Sequence, residues 1–330
     1  MENRLRVGIS MDPQVLGRVF GPAELDRLGE LADLTDPPLL DLSTAQAADV
    51  DVLVTGWGAE YLDGAVLDRM PRLRAVLHAA GSVKHHLDPQ VWVRGIAVSS
   101  AVQANAVPVA EFAFSMILLA GKRVLQVIDR DRRTRTQSPP EDSFPDLGNY
   151  GKRVGLIGAS RIGRLVIEWL RPTAFEVVVH DPYLSAAEAD RLGVGAVGLD
   201  ELVSTSDIVS VHAPDLPETH HLLDAGRIGM LKPGATLINT ARAALIDHQA
   251  LLARLRRGDL FAILDLIDPE PLPADSPWWD LPNVILTTHI AGSLGTELHR
   301  LADTALEELA RLTNGLPLRF PVGADLSRSA

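Results

Sequence analysis

Cysteine is absent from this 330-residue sequence, which removes disulfide frameworks, thiolate zinc sites, iron–sulfur clusters and a cysteine nucleophile together. Aromatic residues are sparse at 5%, and basic side chains are outnumbered by acidic ones, 31 to 43, for a net charge of −12. A nucleic-acid binder needs a basic face to neutralise phosphates, so none is expected as a partner. No apolar run reads as the roughly 18–20 residues of a bilayer span, and the start, MENRLRVGIS, lacks the apolar stretch of a signal peptide. The expectation is a cytoplasmic protein with no membrane partner. Its chemistry must then come from His, Arg, carboxylates or a bound cofactor.

What is present is 46% apolar and 22% charged, ordinary for a folded chain, over a length that suggests two domains. Short apolar runs alternate with helical segments, the pattern of α/β architecture with parallel sheets. Residues 5–9, 39–42, 50–54, 75–78 and 96–99 read as strands of a first unit, with helices over 23–31 and 64–70. Residues 105–125 are apolar almost all round and predict a long helix buried at a domain junction or subunit interface. The basic run 130–135 reads as a solvated helix end. Residues 138–149, rich in Pro, Gly, Ser and Asp, read as a connector. A second, larger sheet is predicted from 153–158, 175–180, 207–212, 235–239, 260–265 and 284–287, followed by a helix over 293–314 that crosses back to the first unit.

The stretch VGLIGASRIG ends the first of these later strands and opens an amphipathic helix. In a G-x-G-x-x-G fingerprint the first Gly makes the turn, the second admits pyrophosphate, and the third lets helix and strand pack closely. Here the series is Gly158, Ser160, Gly163, with Arg161 and Ile162 between the last two. Serine departs from the fingerprint, because its Cβ crowds the pyrophosphate, although its hydroxyl can bond a phosphate or cap the helix. About 20 residues on, the strand FEVVVH ends in Asp181, where a carboxylate accepts ribose hydroxyls and repels a 2′-phosphate. NAD is therefore expected as cofactor, with NADP disfavoured.

Taken together, NAVPVAEFAF, GLIGASRIG, VSVHAPDLPET, LINTARAALID, LDLIDPEPLP and NVILTTHIAGS resemble, in order and spacing, the signatures of the NAD-dependent D-2-hydroxyacid dehydrogenase family over roughly residues 75–295. The resemblance implies two Rossmann-like or flavodoxin-like parallel-sheet domains with an active-site cleft between them. A discontinuous substrate domain, 1–101 plus 291–330, would flank an NAD-binding domain, 102–290. It also implies a homodimer formed through the cofactor domain.

Residue by residue, the resemblance makes Arg242 the clamp on the substrate carboxylate and keto oxygen, a task suited to a permanently charged guanidinium fork. Glu270 would pair with His289, the proton donor, whose protonated ring an adjacent carboxylate favours. In isolation Arg242 reads equally as a helix cap, Glu270-Pro271 as a turn and His289 as a core histidine. All three follow predicted parallel strands at their carboxyl ends, where ligands of open α/β sheets bind. By the same analogy the backbone at Gly81 and Ser82 grips the substrate carboxylate, and Asn105 sits at the substrate or a hinge. His212, Pro214, Thr219, Thr240, Asp265 and Gly292 would line the cofactor, Asp265 holding its carboxamide. No metal is expected: His78, His85, His86, His220 and His221 read as surface or structural residues.

The expected reaction is hydride transfer between NADH and a small 2-oxo acid, yielding a 2-hydroxy acid. Trp57 and Trp278-Trp279 offer either an apolar wall for a bulky substrate or ordinary core packing. Ala243, where the family usually has Gly, and Asp268 are further departures, neither in the proposed triad. Phosphoglycerate is disfavoured, since no basic cluster marks a phosphate grip in the first domain and no regulatory domain is expected after residue 330. One rival is an NAD-sensing protein like the transcriptional co-repressors that share this fold. Another is a formate- or phosphite-type dehydrogenase. Glu270-Pro271, where formate-type sites carry Gln-Pro, argues against formate but leaves phosphite open.

Overall fold

The computed structural model describes residues 4–324. The chain divides into two compact units, one formed up to Ala106 and again from Ser293, the other by Val107–Gly292.

The first unit holds strands β1 (Arg6–Ser10), β2 (Asp33–Leu39), β3 (Val52–Thr55), β4 (Ala75–His78) and β5 (Ala97–Ser100), all parallel, in the order β2-β1-β3-β4-β5. The runs VLVT and AVLH are buried at every residue, as strands covered on both faces must be. One face, with Val7, Ile9, Val54 and Leu77, packs against Leu301, Leu306 and Leu309 of the helix Leu298–Thr313. That helix therefore belongs to the first unit. It carries Glu308, fully buried, whose carboxylate accepts from the backbone N–H groups of Arg319 at 2.8 Å and Phe320 at 2.7 Å. A charge so placed is tolerated because its acceptors are used.

One strand differs from expectation. β2 covers Asp33–Leu39 rather than 39–42, and Leu40 and Leu42 are core residues of the loop that follows. The sequence DLTDPPL carries two prolines, which suppress a strand signal but are tolerated on an edge, and β2 is an edge strand.

The second unit holds β6 (Arg153–Ile157), β7 (Glu176–His180), β8 (Gly195–Ala196), β9 (Ile208–Val211), β10 (Thr236–Asn239), β11 (Phe261–Leu264) and β12 (Val284–Leu286), again parallel, in the order β12-β11-β10-β9-β6-β7-β8. The strand order reverses between β6 and β9, which makes their carboxyl ends the switch point where such sheets bind ligands. The two-residue β8 is too short to leave a periodic signal.

The helix Val102–Gly121 corrects another expectation: its 20 residues are long and apolar enough, by composition, to cross a membrane. Glu111 and Ser115 are exposed on one side, whereas Ala110, Ala113, Ile117 and Ala120 are buried against Val154, Leu156 and Ile238 of the second sheet.

Candidate active site

Parallel register aligns Asn239 with Leu264, and Leu264 with Leu286. The segments carrying Arg242, Glu270 and His289 therefore leave adjacent strands at one sheet edge. His289 and Glu270 meet there: Nδ1 of the ring lies 3.1 Å from Oε1 of the carboxylate, both side chains half exposed. A carboxylate only accepts, so Nδ1 carries the hydrogen and Nε2 is left to exchange a proton. His289 has φ +57°, in the left-handed region that non-glycine residues seldom occupy. Such strain persists only where the surroundings over-determine it.

The surrounding that does so is Asp265, 2% exposed at the end of β11. Its Oδ1 accepts from Thr287 Oγ1 at 2.5 Å and Ile290 N at 2.8 Å, its Oδ2 from Ala291 N at 3.0 Å, and its carbonyl from His289 N at 3.0 Å. Three of about four carboxylate acceptor positions are thus used, and one remains for a donor such as a carboxamide. Sequence reasoning named Asp265 for the cofactor and missed that it shapes the His289 turn. The only signal was a carboxylate ending an apolar strand.

Arg242 is exposed, with Nη1 donating to the Ala241 carbonyl at 2.6 Å. Among the described residues it has no carboxylate partner. Its loop is fixed by Asn239, a fully buried residue absent from the sequence reading, whose side chain accepts from Ala241 N at 3.0 Å and donates to the Arg242 carbonyl at 2.9 Å. Among the described residues no hydrogen bond or ion pair joins Arg242 to His289 or Glu270.

At the switch point, Gly158 has φ +101°, and a Cβ there would stand 2.8 Å from Ala213 N. A Cβ on Gly163 would strike the Gly158 carbonyl. Ser160 resolves its ambiguity by capping the helix Arg161–Leu170, its hydroxyl accepting from Gly163 N at 3.3 Å. Arg161 and Ile162 form the first turn, and partial burial lowers the Arg161 pKa. Asp181 accepts from Ala159 N at 2.7 Å and Tyr183 N at 2.8 Å, tying the loop to the end of β7.

At the carboxyl ends of β10 and β9 two buried side-chain atoms lack partners, Thr240 Oγ1 and His212 Nδ1. The His212 ring, 3% exposed, lies 3.0 Å from Ser210 Oγ through Nε2, and burial lowers its pKa to about 4, so it is neutral. The cradle a Cβ would fill, the half-buried helix start and these orphaned atoms fit a dinucleotide. Thr219 is committed to its own loop: its hydroxyl donates to the Pro214 carbonyl at 2.7 Å and accepts from Leu216 N at 2.8 Å. Gly292 has open space around it.

In the first unit, Gly81 and Ser82 follow β4, and a Cβ on Gly81 would lie 3.3 Å from Asn105 Nδ2. Asn105 Oδ1 also accepts from Ser293 N at 3.4 Å, linking the two points where the chain enters and leaves this unit. Among the described residues no three His, Cys, Asp or Glu side chains form a metal-binding group. Trp278 is a core residue at 6% exposure, whereas Trp279 is half exposed.

Residues 114–291 match the family model described as D-isomer specific 2-hydroxyacid dehydrogenase, NAD binding domain. The chain is 31% identical over 307 residues to a D-3-phosphoglycerate dehydrogenase of Mycobacterium tuberculosis, covering 92% of this chain and 57% of that protein. It is 32% identical over 262 residues to a glyoxylate reductase of Thermofilum pendens, covering 78% and 76%. The crystal structure of a Thermus thermophilus protein superposes with a TM-score of 0.72 at 30% identity, covering 97% of this chain and 100% of that one. The chain spans about half the length of the phosphoglycerate dehydrogenases it matches.

Proposed function

Because this chain belongs to the D-isomer specific 2-hydroxyacid dehydrogenase family, we propose that it interconverts a 2-oxo acid and a D-2-hydroxy acid with NAD(H). The observation that carries the reading is the His289–Glu270 pair, on a strained turn at the same sheet edge as Arg242, which has no ion-pair partner among the described residues. Bound NADH supplies the hydride that the carbonyl carbon of the 2-oxo acid receives. His289 delivers the proton from Nε2 to the carbonyl oxygen, so that 2-oxo acid, NADH and one proton become 2-hydroxy acid and NAD. Glu270 holds the Nδ1 hydrogen and with it the ring's orientation. The Arg242 fork takes the substrate carboxylate, assisted by the backbone at Gly81 and Ser82. In reverse, neutral His289 accepts the hydroxyl proton.

Asp181 supports NAD over NADP, since a carboxylate at the end of the second strand of such a sheet accepts ribose hydroxyls and repels a 2′-phosphate. A homodimer through the helix Val102–Gly121 in a cytoplasmic setting completes the reading, and Phe114 and Met116, only partly buried, offer the apolar surface for it. The test is NADH oxidation with a panel of 2-oxo acids, together with the chirality of the product. Turnover to the D-isomer is expected. Tight NADH binding with no turnover of any 2-oxo acid would overturn the proposal and favour a sensor.

A further inference from the structure

The loops leaving the carboxyl ends of the first unit's strands hold an exposed indole on an unusually constrained turn. Trp57 lies two residues past β3, between Gly56 and Gly58, and is 37% exposed. Its carbonyl accepts from Asp12 N at 2.9 Å, Gly56 N donates to the Ser10 carbonyl at 3.2 Å, and Ala59 N closes the turn on the Gly56 carbonyl at 3.2 Å. Of the flanking glycines, Gly58 is required, since it has φ +76° and a Cβ there would stand 2.7 Å from Asp12 Cβ, whereas a Cβ on Gly56 would meet only the flexible end of Met11, at 3.0 Å from Cε. The turn that carries this large, partly exposed side chain is thus held by backbone hydrogen bonds. It suits a wall that meets a ligand, because no ordering remains to be done on binding.

The same edge is poor in positive charge. The segments after the five strands contain no arginine and a single lysine, Lys84, while Asp12 and Glu60 flank Trp57. Arg69 reaches toward this edge but is engaged by Glu60 at 3.7 Å and by the Leu42 carbonyl at 3.1 Å. The neighbouring ends of β3 and β4 terminate in a hydrogen-bonded pair, Thr55 Oγ1 and His78 Nδ1 at 2.9 Å. Burial lowers the His78 pKa to about 3, so this pair offers no cation to an anionic group. Gly81 and Ser82 lie three and four residues past β4, the strand whose His78 is in register with Thr55.

We propose that Trp57 is a specificity-determining wall for the substrate side chain, selecting bulky apolar 2-oxo acids over phosphorylated ones. This rests on the 2-oxo acid reductase reading above. The substrate carboxylate held at Gly81 and Ser82 sends its side chain toward the loop after β3, where a branched or aromatic group covers the indole. A phosphate there would meet two carboxylates and a neutral histidine.

The experiment compares kcat/KM for glyoxylate, 4-methyl-2-oxopentanoate, phenylpyruvate and 3-phosphohydroxypyruvate in the wild type, Trp57→Ala and Trp57→Phe. The wild type is expected to prefer the two bulky apolar acids. In Trp57→Ala the ratio of kcat/KM for 4-methyl-2-oxopentanoate over glyoxylate should fall about ten- to a hundredfold, chiefly through KM, with Trp57→Phe retaining most of it. Calorimetric binding of 2-hydroxy-4-methylpentanoate to the protein–NADH complex should weaken in parallel. Wild-type preference for glyoxylate or the phosphorylated acid, or an unchanged ratio in Trp57→Ala, overturns the assignment of Trp57 while leaving the reductase reading in place. Absence of turnover with all four acids overturns both.

Discussion

Asp265 and His289 are joined through the backbone: the N–H of His289 donates to the Asp265 carbonyl at 3.0 Å, and the Asp265 carboxylate takes the two N–H groups that follow, from Ile290 and Ala291. The left-handed φ of His289 is thereby fixed from both sides. Asp265→Asn replaces one acceptor oxygen by a donor facing an N–H, which is expected to cost about 1–3 kcal/mol of stability. A ring displaced by an ångström loses on the order of a hundredfold in turnover, and steady-state kinetics on folded Asp265→Asn should show it. Full turnover in that variant would mean that His289 does not depend on this turn.

The proton relay gives a graded expectation. His289→Ala should lower kcat for 2-oxo acid reduction by roughly 10²–10⁴, the usual worth of a positioned general acid. Glu270→Gln should cost less, because an amide oxygen can still accept from Nδ1 but carries no charge. NADH affinity, read by fluorescence, should be unchanged in both, since neither side chain contacts the phosphate loop. Near-full turnover in His289→Ala would falsify the relay.

Arg242→Lys keeps the charge and loses the fork. A charge-assisted hydrogen bond contributes about 1.5–3 kcal/mol, so kcat/KM should drop roughly ten- to a hundredfold. Equal kcat/KM in the two proteins would show that the site needs only a positive charge, or that Arg242 serves its own loop.

How much of this was legible follows from where the contacts are made. The strand over 75–78 and the phosphate loop announce themselves locally, through an apolar run and a glycine spacing, and both are present as β4 and as the Gly158–Gly163 turn. The pairing of Glu270 with His289 was expected from motif resemblance, since 19 residues and a strand separate them. Asn239 and Asp265 as builders of turns were not legible, because their hydrogen bonds depend on neighbouring chain being brought back to a strand end. The role of Ser160 was ambiguous for the same reason: only the folded loop shows its hydroxyl turned to Gly163 N. β2 was misplaced because prolines hide an edge strand that tertiary pairing supports.

Two glycines separate packing from backbone propensity. At Gly163 any Cβ meets the Gly158 carbonyl, a backbone atom that cannot swing away, so Gly163→Ala should destabilise by about 1–3 kcal/mol and weaken NADH binding. At Gly17, inside the helix Pro13–Val19 with open space around it, the same methyl should stabilise by about 0.4–1 kcal/mol. Denaturant midpoints that move in the same direction for both would contradict the tight approach of helix and loop.

Stability should fall on mild acidification for an identifiable reason. Burial lowers the pKa of His78 to about 3 and of His212 to about 4, while in the unfolded chain each titrates near about 6.5. Between those values the unfolded state binds protons that the folded state refuses, so stability rises with pH there. The contribution is complete above about 6.5 and is lost downward toward about 4 for His212 and about 3 for His78, at up to about 1.4 kcal/mol per pH unit per group. His86 and His248, also lowered chiefly by burial, act in the same sense. Carboxylates held low by their partners, Asp146 and Asp207, contribute only near and below their ordinary range, so the interval from about pH 6.5 to 5 isolates the histidines. Urea unfolding of the full chain across that interval should show a slope that His78→Gln reduces by about one proton's worth. An identical slope in that variant would mean that His78 takes up its proton in the folded protein as readily as in water.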